Sequence, residues 1–217
     1  MSGARSRILQ RVRAALGRDG PLPAQAAEPL HAYVAQHPSG PRPPVDWEPL
    51  ARFRERAAAL SSSLDEVETL ASVPDAVARY LARTSLPSAA VVWPELAGLD
   101  WQGAGIAAEA RKAAGSDRVG ITGCFCAIAE TGTLLQLSAA ARPASTSLVP
   151  DTHIAIVPAA RIVNGMDDAW ALVRSECGAL PRAVNFISGP SRTADIEQTL
   201  VLGAHGPCRM HVVVVLG

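Results

Sequence analysis

Aromatic residues are scarce in this chain, at 4% of its 217 residues. Proteins that hold single-stranded nucleic acids stack the bases on aromatic side chains. The formal net charge is zero, so the molecule as a whole has no electrostatic attraction to a polyanion. Together these two deficits predict that nucleic acid is not a partner.

Long apolar runs are missing as well. Apolar stretches such as 212–216 fall far short of the roughly 20 residues that span a bilayer. Arginines interrupt the apolar residues near the start of the chain, which lacks the central apolar block of a secretory signal. We therefore predict no membrane span and a cytoplasmic location.

Cysteine is too sparse and too irregularly spaced for a disulfide scaffold, with Cys124, Cys126, Cys177 and Cys208 as its only instances. Cys124 and Cys126 would share one face of an extended segment, and we interpret them as small buried hydrophobes rather than as a metal or redox pair. Iron–sulfur clusters use four thiolates, and the four cysteines of this chain are too irregularly spaced to supply them together. We therefore expect no such cluster in this chain.

Familiar cofactor motifs are also missing from the sequence. It contains neither His-Glu-x-x-His nor Cys-x-x-Cys, and it has no Gly-x-x-x-x-Gly-Lys-Ser/Thr phosphate loop. Gly103-Ala104-Gly105 is only part of a dinucleotide fingerprint. We expect no metal, NAD or ATP in this chain.

What the chain does have is an apolar fraction of 48%, enough for one substantial core. Prolines crowd residues 17–46, so we predict a basic helix and an extended proline-rich linker in residues 1–46 and an α/β domain in residues 47–217. The basic helix covers residues 4–16, where apolar side chains recur at helical spacing among arginines. It either docks on an acidic partner or packs on its own domain.

The hydrophobic pattern of the second part alternates between helix and strand. Helical spacing covers residues 47–70, as two helices or one interrupted helix, then the segment after Pro74, and residues 167–177. The predicted strands are 89–93, 118–122, 133–138, 153–157, 184–188 and 210–216. Such alternation is typical of an α/β fold.

Residues 188–207 place turn formers, hydroxyls and charges between two of these strands. We predict a turn at Gly189-Pro190 and then a helix capped by Ser191 or Thr193, so that the two strands belong to a parallel crossover unit. In such a unit the turn lies at the carboxyl edge of the sheet, where a helix amino terminus attracts anions.

Several charged residues are candidates for chemistry at this turn. Arg192 can hold a carboxylate or phosphate with two N–H groups, or it can form a structural ion pair with Asp195. His205, on a glycine-rich loop, and His153, at the start of a strand, can each exchange a proton near neutral pH or serve as structural residues.

A second segment sets a single carboxylate, Glu130, beside Thr131-Gly132-Thr133. Glu130 can accept a proton or attack an acyl group if burial adjusts its pKa, and Gly132 would let a ligand approach closely. The alternative is a turn in which Glu130 accepts hydrogen bonds from exposed N–H groups.

Four blocks of the sequence occur in the order seen in the lactate utilization protein C family. They are 130–133, 147–153, 189–197 and 203–207. The chain resembles that family over roughly residues 47–217, the part called the LUD domain. The four blocks in order are far more specific than any one of them.

The resemblance implies a three-layer α/β/α domain with a mostly parallel sheet, similar to the sugar-isomerase and CoA-transferase superfamily, after an N-terminal helical extension. It also implies a bacterial system that oxidises L-lactate to pyruvate, whose partner proteins carry the iron–sulfur clusters. This chain would bind a small anionic metabolite and hold no cofactor itself. Two alternatives stay open: a stand-alone enzyme similar to CoA transferases or sugar-phosphate isomerases, and a non-catalytic assembly or metabolite-sensing module.

The predicted pocket joins three of the four blocks. Glu130 and His205 are its candidate catalytic residues, because both can move protons. The candidate ligand-binding residues are Thr131, Gly132, Thr133, Gly189, Pro190, Ser191, Arg192, Thr193, Asp195 and Gly206.

Overall fold

The computed structural model describes residues 2–18, 20, 22–42, 44–196 and 199–217, and the side chains of residues 2, 193–196 and 199–202 lie outside that description. The chain divides into two compact units, residues 1–44 and 45–217. Among the described residues, none of the helices combines the length and the apolar character needed to cross a bilayer.

The first unit contains two helices, α1 (Ser2–Ala15) and α2 (Ala24–Gln36). Helix α1 occupies the segment predicted as helical. The extended linker predicted for residues 17–46 is wrong over α2. Alanine has the highest helix propensity, and the alanine-rich sequence of α2 contains a single proline, Pro29.

The second unit contains four helices and twelve strands within the described residues. The helices are α3 (Pro49–Ala59), α4 (Val73–Arg83), α5 (Ser145–Leu148) and α6 (Met166–Glu176). The strands are β1 (Ser63–Val67), β2 (Ala89–Val92), β3 (Ala107–Ala110), β4 (Val119–Gly123), β5 (Cys126–Ile128), β6 (Thr133–Leu137), β7 (Thr152–Pro158), β8 (Ile162–Val163), β9 (Val184–Ile187), β10 (Arg192–Ile196), β11 (Thr199–Leu202) and β12 (Arg209–Val215).

A six-stranded parallel sheet forms the centre of this unit. Its strand order is β1-β12-β7-β4-β2-β3, and every neighbouring pair is parallel. The central strands β7 and β12 are almost entirely buried, as expected for a parallel sheet that is covered on both faces.

A second, mixed sheet has the order β8-β5-β6-β9, in which β6 is antiparallel to both of its neighbours. Helix α4 packs on one face of the parallel sheet, while α3 and the mixed sheet cover the other face. Helix α6 packs on the far side of the mixed sheet. The predicted α/β class with a mostly parallel sheet is confirmed, and the mixed sheet inserts a further layer.

The helical interpretation of residues 47–70 is wrong after α3, because β1 follows instead. Ser61 has a φ of 66°, in the left-handed region, and it closes the helix just past Ala59. The next residues pair with β12 in the register Ser63 to His211. Strand β1 lies at the edge of the sheet, and three of its five residues are polar, so the strand pattern is weak in the sequence.

The helix predicted after Gly189-Pro190 is also wrong. Strands β10 and β11 form an antiparallel hairpin there, with Thr193 opposite Val201. Branched residues such as these favour extended backbone over helix. Strands β9 and β12 belong to different sheets, so they do not form the predicted parallel crossover unit.

Candidate functional site

A cavity of about 430 Å³ opens at the amino ends of β1 and β12. We call it the basic cavity, because two arginines and no carboxylate are among its described lining residues. The lining residues are Ser61, Ser63, Tyr80, Pro190, Arg192, Cys208, Arg209 and Met210. The sequence predicted that the turn at Gly189-Pro190 lies at the carboxyl edge of the sheet. That placement is wrong, since Pro190 and Arg192 line this cavity at the opposite edge.

The end of α3 forms one side of the basic cavity. Arg192 donates from Nη2 to the backbone oxygen of Leu60 at 3.3 Å and to the hydroxyl of Ser61. The carbonyl end of a helix carries partial negative charge and attracts a guanidinium. Arg192 thus caps a helix carboxyl terminus, whereas the predicted site used a helix amino terminus.

Gly189 makes this close approach possible. Its φ is 78°, and a Cβ atom at this position would lie 2.5 Å from the oxygen of Leu60. Only glycine fits both the backbone conformation and the space. The adjoining Pro190 lines the basic cavity, and its predicted ligand-binding role stays a prediction.

Ser191 joins the two loops that flank the hairpin. Its N–H donates to the oxygen of Pro207 at 2.8 Å, and its hydroxyl accepts from the N–H of His205 at 3.4 Å. Gly206 lies against it, since a Cβ atom there would be 3.4 Å from the Ser191 Cβ. The described contacts of these predicted site residues therefore hold the loops together.

His205 is exposed beside this junction. The side chains of Thr193 and Asp195 lie outside the described residues, so the predicted ion pair between Arg192 and Asp195 stays a prediction. No described carboxylate lies within ion-pair distance of Arg192.

Tyr80 lines the basic cavity, and His211 is fully buried behind it. Their rings stack with centroids 3.9 Å apart and an angle of 7° between the planes. Burial raises the pKa of Tyr80, so its phenol is neutral at physiological pH. Burial also lowers the pKa of His211 to about 4, while the nearby carboxylate of Asp65 opposes that shift.

The 130–133 block packs against α3 and is joined through hydroxyls to Ser188, which directly precedes the turn at Gly189-Pro190. Thr131 donates to Thr133 at 2.7 Å, and Thr133 is hydrogen-bonded to Ser188 at 2.7 Å. Gly132 has a φ of 68°, and a Cβ atom there would lie 2.5 Å from the N atom of Ala57. The space at Gly132 thus accommodates α3, not a ligand as predicted.

Glu130 lies at the start of α6. Its N–H donates to the oxygen of Asn164 at 2.9 Å, and its Oε2 would be 3.3 Å from a Cβ atom on Gly165, which caps α6. A carboxylate is stabilised at a helix amino terminus. The structure therefore brings Glu130 to α6 and His205 to Ser191, and neither lines the basic cavity.

His153 is fully buried between the two sheets. Its Nε2 is hydrogen-bonded to the hydroxyl of Thr122 at 2.8 Å, and that hydroxyl also accepts from the amide of Gln136 at 2.8 Å. Burial lowers the pKa of His153 to about 4. Of the two roles that the sequence left open for His153, the contacts support the neutral structural one.

The cysteines remain unpaired. Burial raises the pKa of Cys124 and raises the pKa of Cys126 to about 11, which disfavours the thiolate that metal binding needs. Within the described ranges, no group of three or more His, Cys, Asp or Glu side chains is placed to hold a metal ion.

Most lining residues of the basic cavity were not predicted from the sequence. Ser63, Tyr80 and Arg209 come from β1, α4 and β12, and they meet only because β1 pairs with β12. Arg209 directly precedes a buried apolar run, and that position is a signal that could have marked it as a residue at a strand end.

Comparison with known proteins identifies the family of this chain. Residues 51–215 match the model of the LUD domain. Lactate utilization protein C from an Exiguobacterium species is 33% identical over 97% of this chain and 95% of its own length. The protein of the same name from Bacillus licheniformis is 39% identical over 45% of this chain, and that match covers 42% of its length. This match and similar ones thus span less than half of those relatives.

A solved structure has a fold similar to that of this chain. The crystal structure of a DUF162 family protein from Deinococcus radiodurans matches with a TM-score of 0.57 and 26% identity, and the match covers 80% of this chain and 99% of that one. The predicted likeness to sugar isomerases and CoA transferases stays a prediction. The chain belongs to the LUD domain family and, within it, to the lactate utilization protein C family.

Proposed function

We propose that this protein is a component of a bacterial system that oxidises L-lactate to pyruvate, and that it binds a small carboxylate in the basic cavity. One observation carries the proposal: Arg192 and Arg209 line the same cavity as three hydroxyl-bearing side chains. Guanidinium groups bind carboxylates through charge-assisted hydrogen bonds. The names of the relatives, lactate utilization protein C, support lactate or pyruvate as the carboxylate.

Calorimetric titration of the full-length protein with L-lactate and with pyruvate tests this proposal. Loss of a charge-assisted hydrogen bond costs about 1.5–3 kcal/mol, so Arg209→Gln is expected to weaken binding by roughly 10- to 100-fold. Arg182→Gln is the matched control, because Arg182 is exposed and does not line the basic cavity. Absence of binding of both acids by the unaltered protein would refute the proposal.

The iron–sulfur partner proteins are a separate part of the proposal, supported by α1. This helix carries Arg5, Arg7, Arg11 and Arg13 and no acidic residue. Its apolar side chains are exposed, with Ile8 at 62% and Val12 at 49%. Apolar side chains flanked by arginines suit an acidic, partly apolar protein surface.

The docking role is tested by co-purification of the full-length protein with the iron–sulfur proteins of the lactate system. Ile8→Asp combined with Val12→Asp is expected to abolish the complex and to leave lactate binding intact. Leu180→Asp is the control, because Leu180 is equally exposed, at 66%, in the second unit. A complex that survives the α1 changes would contradict the docking role. The same assembled system, compared with the isolated protein, shows whether this chain oxidises lactate alone.

The cytoplasm is the proposed location. Four free cysteines are in keeping with a reducing compartment.

A further inference from the structure

Three polar side chains lie in a row beside the basic cavity. Ser63 on β1 and His211 on β12 are paired in the register of the parallel sheet, and the Ser63 Oγ lies 2.9 Å from the His211 Nδ1. On the other side of the ring, the His211 Nε2 lies 3.6 Å from the Oδ2 of Asp65. Ser63 lines the basic cavity, whereas His211 is fully buried behind it.

The surroundings of His211 determine which of its nitrogens carries the proton. The ring is neutral, because burial lowers its pKa to about 4 against the opposing carboxylate of Asp65, and Arg83 adds to the lowering. A neutral imidazole has one N–H and one lone pair. The carboxylate beside Nε2 favours the N–H on that nitrogen, so Nδ1 carries the lone pair. Tyr80 stacks on the ring and holds its plane in place.

This tautomer fixes the hydrogen-bonding role of Ser63. A hydroxyl has one proton to donate and two lone pairs, and the Ser63 proton is used on Nδ1 of His211. Toward a ligand in the basic cavity, Ser63 therefore offers an acceptor and no donor.

We propose that Ser63 makes the basic cavity selective for 2-hydroxycarboxylates over 2-oxocarboxylates, an inference that rests on the proposed carboxylate binding. In a 2-hydroxycarboxylate the hydroxyl is on the carbon next to the carboxylate, and it can donate to Ser63 while the arginines hold the carboxylate. The oxo oxygen of a 2-oxocarboxylate is only an acceptor. Two acceptors facing each other in a cavity repel and leave both without a partner.

The selectivity follows from a general asymmetry in recognition. A site built to hydrogen-bond a group of its substrate rejects an analogue that lacks this group more strongly than an apolar site rejects a slightly different shape. The range from pH 6 to pH 9 lies roughly two units or more above the pKa of His211, so this ring stays neutral throughout it. The role of Ser63 is therefore the same over that range. The preference is therefore expected to be independent of pH over that range.

The test measures the ratio of the dissociation constants for L-lactate and pyruvate with the full-length protein by calorimetry. The unaltered protein is expected to bind L-lactate at least about tenfold more tightly, and Ser63→Ala should bring the ratio to within about threefold. Ser63→Thr keeps the hydroxyl and should keep the preference. Ser61→Ala is the matched control: Ser61 lines the same cavity but bonds Arg192, so both affinities should fall together.

Each outcome decides between the two proposals. Equal binding of both acids by the unaltered protein, or a lactate preference that survives in Ser63→Ala, would overturn the role of Ser63 and leave carboxylate binding in place. Binding of neither acid would overturn carboxylate binding itself and the selectivity with it.

Discussion

Tyr80 and His211 lie face to face, with their ring centroids 3.9 Å apart. The contact joins α4 to β12 and keeps water away from an imidazole that is fully buried. It thereby connects the packing of the helical layer to the protonation state of a side chain behind the basic cavity. The Tyr80 ring therefore affects the protonation of His211 in addition to packing against it.

Removal of the Tyr80 ring should raise the pKa of His211. Burial is the main cause of the low pKa, so Tyr80→Ala admits water and moves the pKa from about 4 toward the ordinary value of 6.5. An NMR titration of the His211 ring measures this shift. Tyr80→Phe keeps the stacked ring and should keep the low pKa. A pKa that stays near 4 in Tyr80→Ala would contradict the assigned cause.

Acid should destabilise the fold through His153. Its pKa is about 4 in the folded protein and about 6.5 in the unfolded chain, so the unfolded chain takes up a proton first. The free energy of unfolding is then expected to fall as the pH drops from 6.5 to 4, by up to about 3 kcal/mol from this group. His211, also buried and neutral, acts in the same direction.

Urea denaturation at about pH 7, 5.5 and 4.5 measures this dependence, because these values cover most of the window between the two pKa values. His153→Gln can still bond Thr122 through its amide and carries no titrating group, so its stability should depend less steeply on pH. Parallel curves for the variant and the unaltered protein would show that His153 is not the cause.

Replacement of Gly132, which packs against α3, should destabilise the protein. Gly132→Ala would place a methyl group against the backbone of Ala57 at a φ of 68°. The strained φ and the clash together are expected to cost more than about 2 kcal/mol in unfolding free energy. Gly98→Ala is the control, since no atom lies within 4 Å of a Cβ there. Equal stability of the two variants would contradict the close packing on α3.

Glu130→Gln distinguishes a structural carboxylate from a ligand-binding one. Glu130 lies at the amino terminus of α6 and does not line the basic cavity. The change should leave lactate affinity within about twofold and lower stability by about 0.3–1 kcal/mol, the usual size of a charge interaction at a helix end. Calorimetry and urea denaturation give both numbers, and a large loss of affinity would return Glu130 to the binding site.

The sequence was sufficient to predict the buried strands, because their apolar runs are strong local signals. Strands 119–123, 152–158 and 209–215 all lie where the pattern predicts them. Strand β1 was missed, because three of the five residues of this edge strand are polar and the serines at 61–63 indicate a loop. The basic cavity depends on β1 pairing with β12, so its position could not follow from local sequence.

The helix predicted after Gly189 shows a second limit of local reasoning. Ser191 has the chemistry of a helix cap, but its hydroxyl accepts from His205, fourteen residues later in the chain. Capping residues and loop-joining residues have the same identities, and only the tertiary contact distinguishes them. Arg192 lines the basic cavity, and its role in binding a ligand stays a prediction.

A crystal structure of the full-length protein with bound L-lactate tests the central claim most directly. The claim predicts the lactate carboxylate on Arg192 or Arg209 and the lactate hydroxyl on the Ser63 Oγ, inside the cavity at the amino ends of β1 and β12. Lactate bound beside Glu130, or anywhere away from this cavity, would contradict it.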